Sequence, residues 1–327
     1  MARIFMDGFE LGDLSLWSGS SAPTAVNVGI VAGMSGANCC TVGSGSIEKT
    51  FSSTKTELYI AFKLCTSSMN GFNQILSFKD SNGTTIACLY KFGTNYLGIY
   101  RGNSNGTYLA TGTTYISSWK TYLIEIRYKP LDSGGVFTIK VDGVTDINYS
   151  GDTTSGLENI LKVRLGDDPG GVYFSGYFDD FIVDDANWIG NTKLGIITPN
   201  GTGTTNNWTA SAGTAYQCID ELAPSDTDYV YSNTVDQIST YAMTTIANMN
   251  SVKSIQLQGR AAYEGSPTPT KIQLGVRASG TDYFATDLSP GVGFGMLTKI
   301  LELNPADSAA WEQADIDALE IGVKATA

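Results

Sequence analysis

Seven carboxylates stand in two short runs. Asp7, Glu10 and Asp13 lie within Asp7-Gly8-Phe9-Glu10-Leu11-Gly12-Asp13, and Asp179, Asp180, Asp184 and Asp185 lie within Tyr177-Phe178-Asp179-Asp180-Phe181-Ile182-Val183-Asp184-Asp185. Side chains that offer only oxygen suit a hard cation, and Ca²⁺ takes about 6–8 such ligands. If the strand after Met1 pairs with the strand ending at Asp185, the two runs become neighbours. Asp7, Glu10, Asp13 and Asp180 are then the candidate ligands of a structural calcium ion, the one cofactor the residues suggest. The plain alternative is a set of solvated turn carboxylates. Asp167-Asp168-Pro169-Gly170 is a weaker acidic cluster that reads as a turn.

A second kind of chemistry is stacking. Tyr90, Phe92, Tyr96, Tyr100, Tyr108 and Tyr115 crowd a short stretch flanked by Asn and Gly. Exposed rings in such a setting bind the apolar face of a sugar, and Tyr96, Tyr100 and Tyr108 are the candidate glycan-binding residues. Cross-strand packing is the competing use of strand tyrosines. Catalysis has little to work with. The 327 residues include no His, which removes the usual general base, the Ser-His-Asp arrangement and the commonest zinc ligand. Glycoside hydrolysis needs paired carboxylates, yet no strand alternates Glu-x-Asp-x-Glu and Glu125 stands alone between Ile124 and Ile126. A polysaccharide-degrading enzyme is the weakest reading, and the chain is expected not to be an enzyme.

The formal net charge is −12, with no basic cluster to relieve it, so nucleic acid is not an expected partner. No apolar run reaches about 18 residues, so no helix is expected to cross a membrane. Five cysteines, Cys39, Cys40, Cys65, Cys88 and Cys218, fit neither a zinc site nor a disulfide framework. Free thiols are expected, which agrees with folding in a reducing cytoplasm. In Met1-Ala2-Arg3-Ile4-Phe5-Met6-Asp7 the carboxylate interrupts the apolar run, unlike a secretory leader.

The elements that must position these groups read as strands. The chain exceeds the roughly 250–300 residues at which one core stops growing. It holds 37 Gly and 17 Tyr but only 16 % charged residues, a composition of tight turns and β-favouring side chains. Alternating runs such as Glu57 to Leu64 and Trp119 to Tyr128, and turns at Asn82-Gly83, Asn105-Gly106, Gly134-Gly135 and Asp142-Gly143, predict β-hairpins throughout. The expectation is an all-β protein of two β-sandwich (jelly-roll) domains in tandem, residues 1–187 and a smaller 188–327. Thr198 to Trp208 reads as a long loop. Ala215 to Ile219 reads as a strand and Ser308 to Ile316 as a short helix. Trp17, Trp119, Trp188, Trp208 and Trp311 read as core or interdomain anchors, Trp188 at the junction. In Ser289-Pro290-Gly291-Val292-Gly293-Phe294-Gly295-Met296, a flexible loop would present Val292, Phe294 and Met296 as an attachment surface. The alternative is an edge loop folded back on its own core.

The first unit resembles the concanavalin A-like, laminin-G-like jelly rolls. The residues that carry this are Trp119-Lys120-Thr121-Tyr122-Leu123-Ile124-Glu125-Ile126, then Phe137-Thr138-Ile139-Lys140-Val141-Asp142-Gly143, and Phe178-Asp179-Asp180-Phe181-Ile182-Val183. Jelly rolls of this kind often hold calcium near the bookend positions. The whole chain is similar to two-domain proteins of tailed-bacteriophage virions, through Trp188-Ile189-Gly190 to Pro199-Asn200-Gly201, Ser225-Asp226-Thr227-Asp228-Tyr229-Val230, and Trp311 to Val323. That resemblance implies a virion structural protein synthesised in the host cytoplasm: a capsid decoration or cement protein or head fibre, or a tail or baseplate component. It implies itself, as a trimer, and shell proteins such as the major capsid protein as partners. A carbohydrate-binding adhesin module, with surface glycans as partner, is the alternative from a different class.

Overall fold

The structure is a computed structural model that describes residues 3–21, 24–28, 31–43, 45–67, 73–103, 105–166, 176–265 and 269–326, without the side chains of 24–28. The Asp167–Gly170 turn lies outside the described residues. The chain is nearly all β and divides into two compact units, Met1–Gly195 and Ile196–Ala327.

Unit 1 is a two-sheet sandwich. One sheet runs, in order, Val144–Gly151, Gly135–Val141, Tyr122–Lys129, Leu58–Thr66, Gly176–Asp184, Asn38–Val42 and Thr24–Val28. The opening strand, Arg3–Asp7, pairs antiparallel with the second half of the closing strand, Phe5 opposite Val183 and Asp7 opposite Phe181. The other sheet runs Thr107–Thr111, Leu97–Arg101, Thr85–Lys91, Asn73–Lys79, Ile160–Gly166, Ser46–Lys55 and Gly19–Ser21. The turns are where short-range chemistry puts them. Asp142 and Gly143 both adopt positive φ, 51° and 81°, as a two-residue hairpin turn requires. Apolar side chains from the two sheets interleave between them: Phe78 stacks on Tyr128 at 4.2 Å and meets Phe137 edge-on at 5.9 Å.

Unit 2 has a five-stranded sheet, Pro199–Asn206, Ile238–Met243, Glu320–Thr326, Lys271–Ala278 and Thr281–Phe284, and a separate pair, Ile255–Ala261 with Gly295–Leu301. Its core gathers Tyr241, Leu257, Leu274, Val276, Trp311 and Leu319. Two expectations fail here. Pro199–Asn206 is an edge strand rather than a loop, its burial alternating along Thr and Gly. Ala215–Cys218 is a single 3₁₀ turn rather than a strand. The helix is confined to Gln313–Asp317. Among the described residues no helix is long and apolar enough to cross a membrane.

The tryptophans divide. Trp17 and Trp311 are buried, and the half-buried Trp208 donates its indole N–H to Gln237 O within unit 2. Trp188 packs inside unit 1, edge-on to Tyr59 at 5.5 Å with the Lys140 ammonium 3.7 Å from its ring. Trp119 is 58 % exposed and is no anchor.

Candidate functional site

The bookend carboxylates meet as neighbouring strands, but each has separate work. Asp7 is buried and pins the loop that follows it: Oδ1 accepts the Phe9 N–H at 2.7 Å and Oδ2 the Trp17 indole N–H at 2.7 Å. That fixes Trp17 against Phe5 and Phe181, each at 5.1 Å, and stacks it with Phe9 at 6.0 Å. Burial pushes the Asp7 carboxyl up to about 7. Glu10 caps a distant turn, accepting from Ala37 N at 3.0 Å and Asn38 N at 3.4 Å. Asp13 closes a local turn on Ser15, through the backbone N–H and the hydroxyl. Asp184 accepts from Ala186 N and Asn187 N.

Asp179 and Asp180 sit at an irregularity in the closing strand, where Asp180 has φ of 49°. Asp180 Oδ2 meets the Lys63 ammonium at 2.8 Å and the Ser35 hydroxyl at 2.7 Å, while Oδ1 accepts Leu194 N at 2.7 Å. Asp179 accepts Ser35 N at 2.6 Å and Asp180 N at 2.7 Å. Burial, and then the Asp180 charge, hold Asp179 up at about 7. Among the described residues no three His, Cys, Asp or Glu side chains are grouped so as to hold a metal ion. Asp7, Glu10, Asp13 and Asp180 are thus placed as backbone pins, joined by a buried lysine, Lys63, absent from the candidate set. Glu125 holds the segment after the closing strand by accepting Gly190 N at 2.9 Å.

The tyrosines form the more open feature. On the seven-stranded sheet, Phe78 pairs with Ala87, and Ala87 with Arg101, so these share the face that meets the other sheet. Side chains alternate along a strand. Tyr100 and its cross-strand partners Cys88 and Tyr108 therefore lie on the outer face. The row continues across the sheet through Ser77, Arg164 and Glu48. At its edge, Tyr100 contacts Tyr108 at 5.5 Å, Tyr90 at 5.6 Å and Phe92 at 6.3 Å. Phe92 lies across Gly98, where an added Cβ would come 2.1 Å from the ring; only glycine leaves room for it. Tyr108 is 47 % exposed. Behind the rings, Tyr90 donates its hydroxyl to Gln74 Oε1 at 2.9 Å. The far end of the row is charged: Glu48 bridges Arg164 at 2.9 Å and Lys162 at 3.3 Å. Tyr96 is elsewhere, at the hairpin turn, edge-on to Tyr115 at 5.9 Å. The structure thus joins Tyr100 and Tyr108, adds Tyr90 and Phe92, and separates Tyr96. An aromatic shelf of this kind stacks on a flat apolar surface and offers polar groups along its side.

Of the proposed attachment residues in unit 2, Val292 is 87 % exposed. Phe294 packs on Tyr229 at 6.1 Å, and Met296 is half-buried in a strand opposite Arg260. All five cysteines are buried thiols, none in a disulfide.

No protein-family model matches the chain, and no curated protein sequence matches it. Solved structures match it in part. Domain 4 of an extracellular arabinanase from Geobacillus stearothermophilus, in complex with arabinotriose, is 12 % identical, covers 55 % of this chain and 91 % of its own, and gives a TM-score of 0.40. A carbohydrate-binding module from Bacillus subtilis is 10 % identical over 50 % of this chain and 94 % of that one, at 0.35. A sialidase is 16 % identical over 57 % of this chain at 0.39, and the chain spans only 19 % of it. At these values the likeness assigns no ligand and no activity.

Proposed function

We propose that unit 1 is a binding module that takes a carbohydrate on the shelf of Phe92, Tyr100 and Tyr108, and that the chain recognises surfaces rather than transforming substrates. The observation that carries this is the shelf itself. Three rings lie together at the outer edge of a sheet, one seated over a glycine, with Tyr108 left 47 % exposed. Rings of this amphipathic kind give large contact area with a polar handle, which is what a pyranose face bordered by hydroxyls asks for. The test is a glycan array with the full chain, followed by titration of the best ligand. Tyr108→Ala should weaken binding about tenfold, one ring contact being worth about 0.5–1.5 kcal/mol. No array signal, or affinity unchanged by Tyr108→Ala, would overturn the reading.

A second reading places this module on a virion, as a decoration protein of the head or a component of the tail. It draws on the resemblance that runs through both units, and on Val292, whose 87 % exposure on a Gly-rich loop is the least expected of any apolar side chain in the described residues. Immunogold labelling of purified particles tests it. A particle free of the protein would refute it, and Val292→Asp releasing the protein from particles would bear it out.

A further inference from the structure

At one end of the unit 1 sandwich, on the other face of the strands that carry the shelf, lies an open cleft of about 500 Å³. It is walled by the hairpin tip after Arg101 on one side and by Asp132, Asp152 and Thr154 to Gly156 on the other. Every lining residue is polar or glycine, with no ring and no aliphatic side chain. The volume is within the range of small-molecule sites, about 300–1,000 Å³.

Both walls are built rather than loose. Asn103 holds its tip by accepting Gly106 N at 2.9 Å and Asn105 N at 3.0 Å. Gly106 is obligatory, because a Cβ there would lie 2.0 Å from Arg101 O. On the facing wall, Thr153 is rooted in the sheet through Tyr128, whose hydroxyl donates to Thr153 O at 2.8 Å, and through Lys129 O, which accepts its hydroxyl at 2.8 Å. Arg101 spans the floor, its guanidinium paired with Asp152 and donating to Thr107 Oγ1 at 3.0 Å. Asp132 stands exposed and without an ion-pair partner among the described residues.

We infer that this cleft is a second binding site, for the vicinal hydroxyls of a neutral sugar. One guanidinium and two carboxylates leave the lining negative, which opposes phosphates and acidic sugars. A guanidinium offers only donors and a carboxylate only acceptors. A hydroxyl pair satisfies both at once, each oxygen accepting from Arg101 while its O–H donates to Asp132 or Asp152, in charge-assisted hydrogen bonds. The absence of a ring from the lining makes recognition depend on hydroxyl geometry rather than stacking. The site shares no residue with the aromatic shelf, and the alternation of side chains puts Arg101 and Thr107 on the face opposite Tyr100 and Tyr108.

The experiment is an amide NMR titration of the full chain with methyl α-D-mannopyranoside and methyl β-D-galactopyranoside, with methyl β-D-glucuronide and calcium chloride as contrasting probes. Saturating shifts at Gly102, Asn103, Gly106 and Gly156 with a neutral glycoside are expected. Arg101→Met and the exposed Asp132→Asn should each weaken that response about tenfold, the scale of one hydrogen bond to a charged group. Tyr108→Ala should leave it unchanged, which separates this site from the shelf. Silence at those amides with both neutral glycosides, a stronger response to the glucuronide or to calcium, or shifts indifferent to Asp132→Asn would each overturn it.

Discussion

Lys63 is the residue on which the bookend network turns, and Lys63→Met tests the account of it. Two adjacent carboxylates, Asp179 and Asp180, are essentially inaccessible, and one ammonium, itself 7 % exposed, faces them. Met fills the space of the lysine stem but leaves both carboxylates without a cation. Removing one partner of a buried pair costs about 3–5 kcal/mol, because a charge is left buried and uncompensated. The loss must also depend on pH. Asp179 is already held up at about 7 by burial and by Asp180, and Lys63 is among the groups that pull it back down. Without the lysine, the native state keeps its proton to higher pH than wild type does. Stability then falls more steeply as pH rises, since the unfolded chain has released a proton the native state still binds. Urea unfolding at pH 8 and pH 5.5, followed by tryptophan emission from Trp17 in the core, reads both effects. The expected result is the full loss at pH 8 and a distinctly smaller one at pH 5.5, with Lys63→Met plus Asp180→Asn recovering part of it. A loss below about 1 kcal/mol, typical of an exposed pair, or one equal at the two pH values, would refute the reasoning.

Wild-type unit 1 should itself be more stable at pH 5 than at pH 8 where these groups dominate. Burial raises Asp7 and Asp179 to about 7 from an ordinary 3.8, so the stability they confer is complete below the unfolded value and lost as pH climbs through 7; a melting temperature that rises from pH 5 to pH 8 would contradict this. Gly36→Ala should destabilise by about 2 kcal/mol or more, because φ there is +62° and the new Cβ would sit 1.8 Å from Glu10 Oε1; calorimetry on Gly36→Ala with and without Glu10→Ala separates the clash, which the second change relieves, from the backbone strain, which it does not. Thiol titration should find none of the five cysteines reactive in the native protein and all five after denaturation, since burial raises the thiols of Cys39, Cys40 and Cys65; a reactive native thiol would place one of them at the surface.

What could be read from the residues was local. Asp142-Gly143 and Asn82-Gly83 form their turns through short-range backbone preference, and Tyr122–Lys129 declares itself by alternation. What was missed depended on partners far along the chain. Pro199–Asn206 has no apolar rhythm, because it is an edge strand whose pairing with Ile238–Met243 fixes it in place of side-chain burial. The acidic runs are legible in the sequence, and so is the pairing of the strands that carry them. Their use is not, since a carboxylate that accepts backbone N–H groups has the same letter as one that waits for a metal. One signal was available: Lys63 sits in Leu58-Tyr59-Ile60-Ala61-Phe62-Lys63-Leu64-Cys65, a strand otherwise nearly all apolar. A cation at the centre of such a strand needs a buried anion, and the closing strand beside it supplied the two aspartates. The cleft at Arg101 gave no comparable sign, because Asp152 is drawn to it only when the two sheets stack.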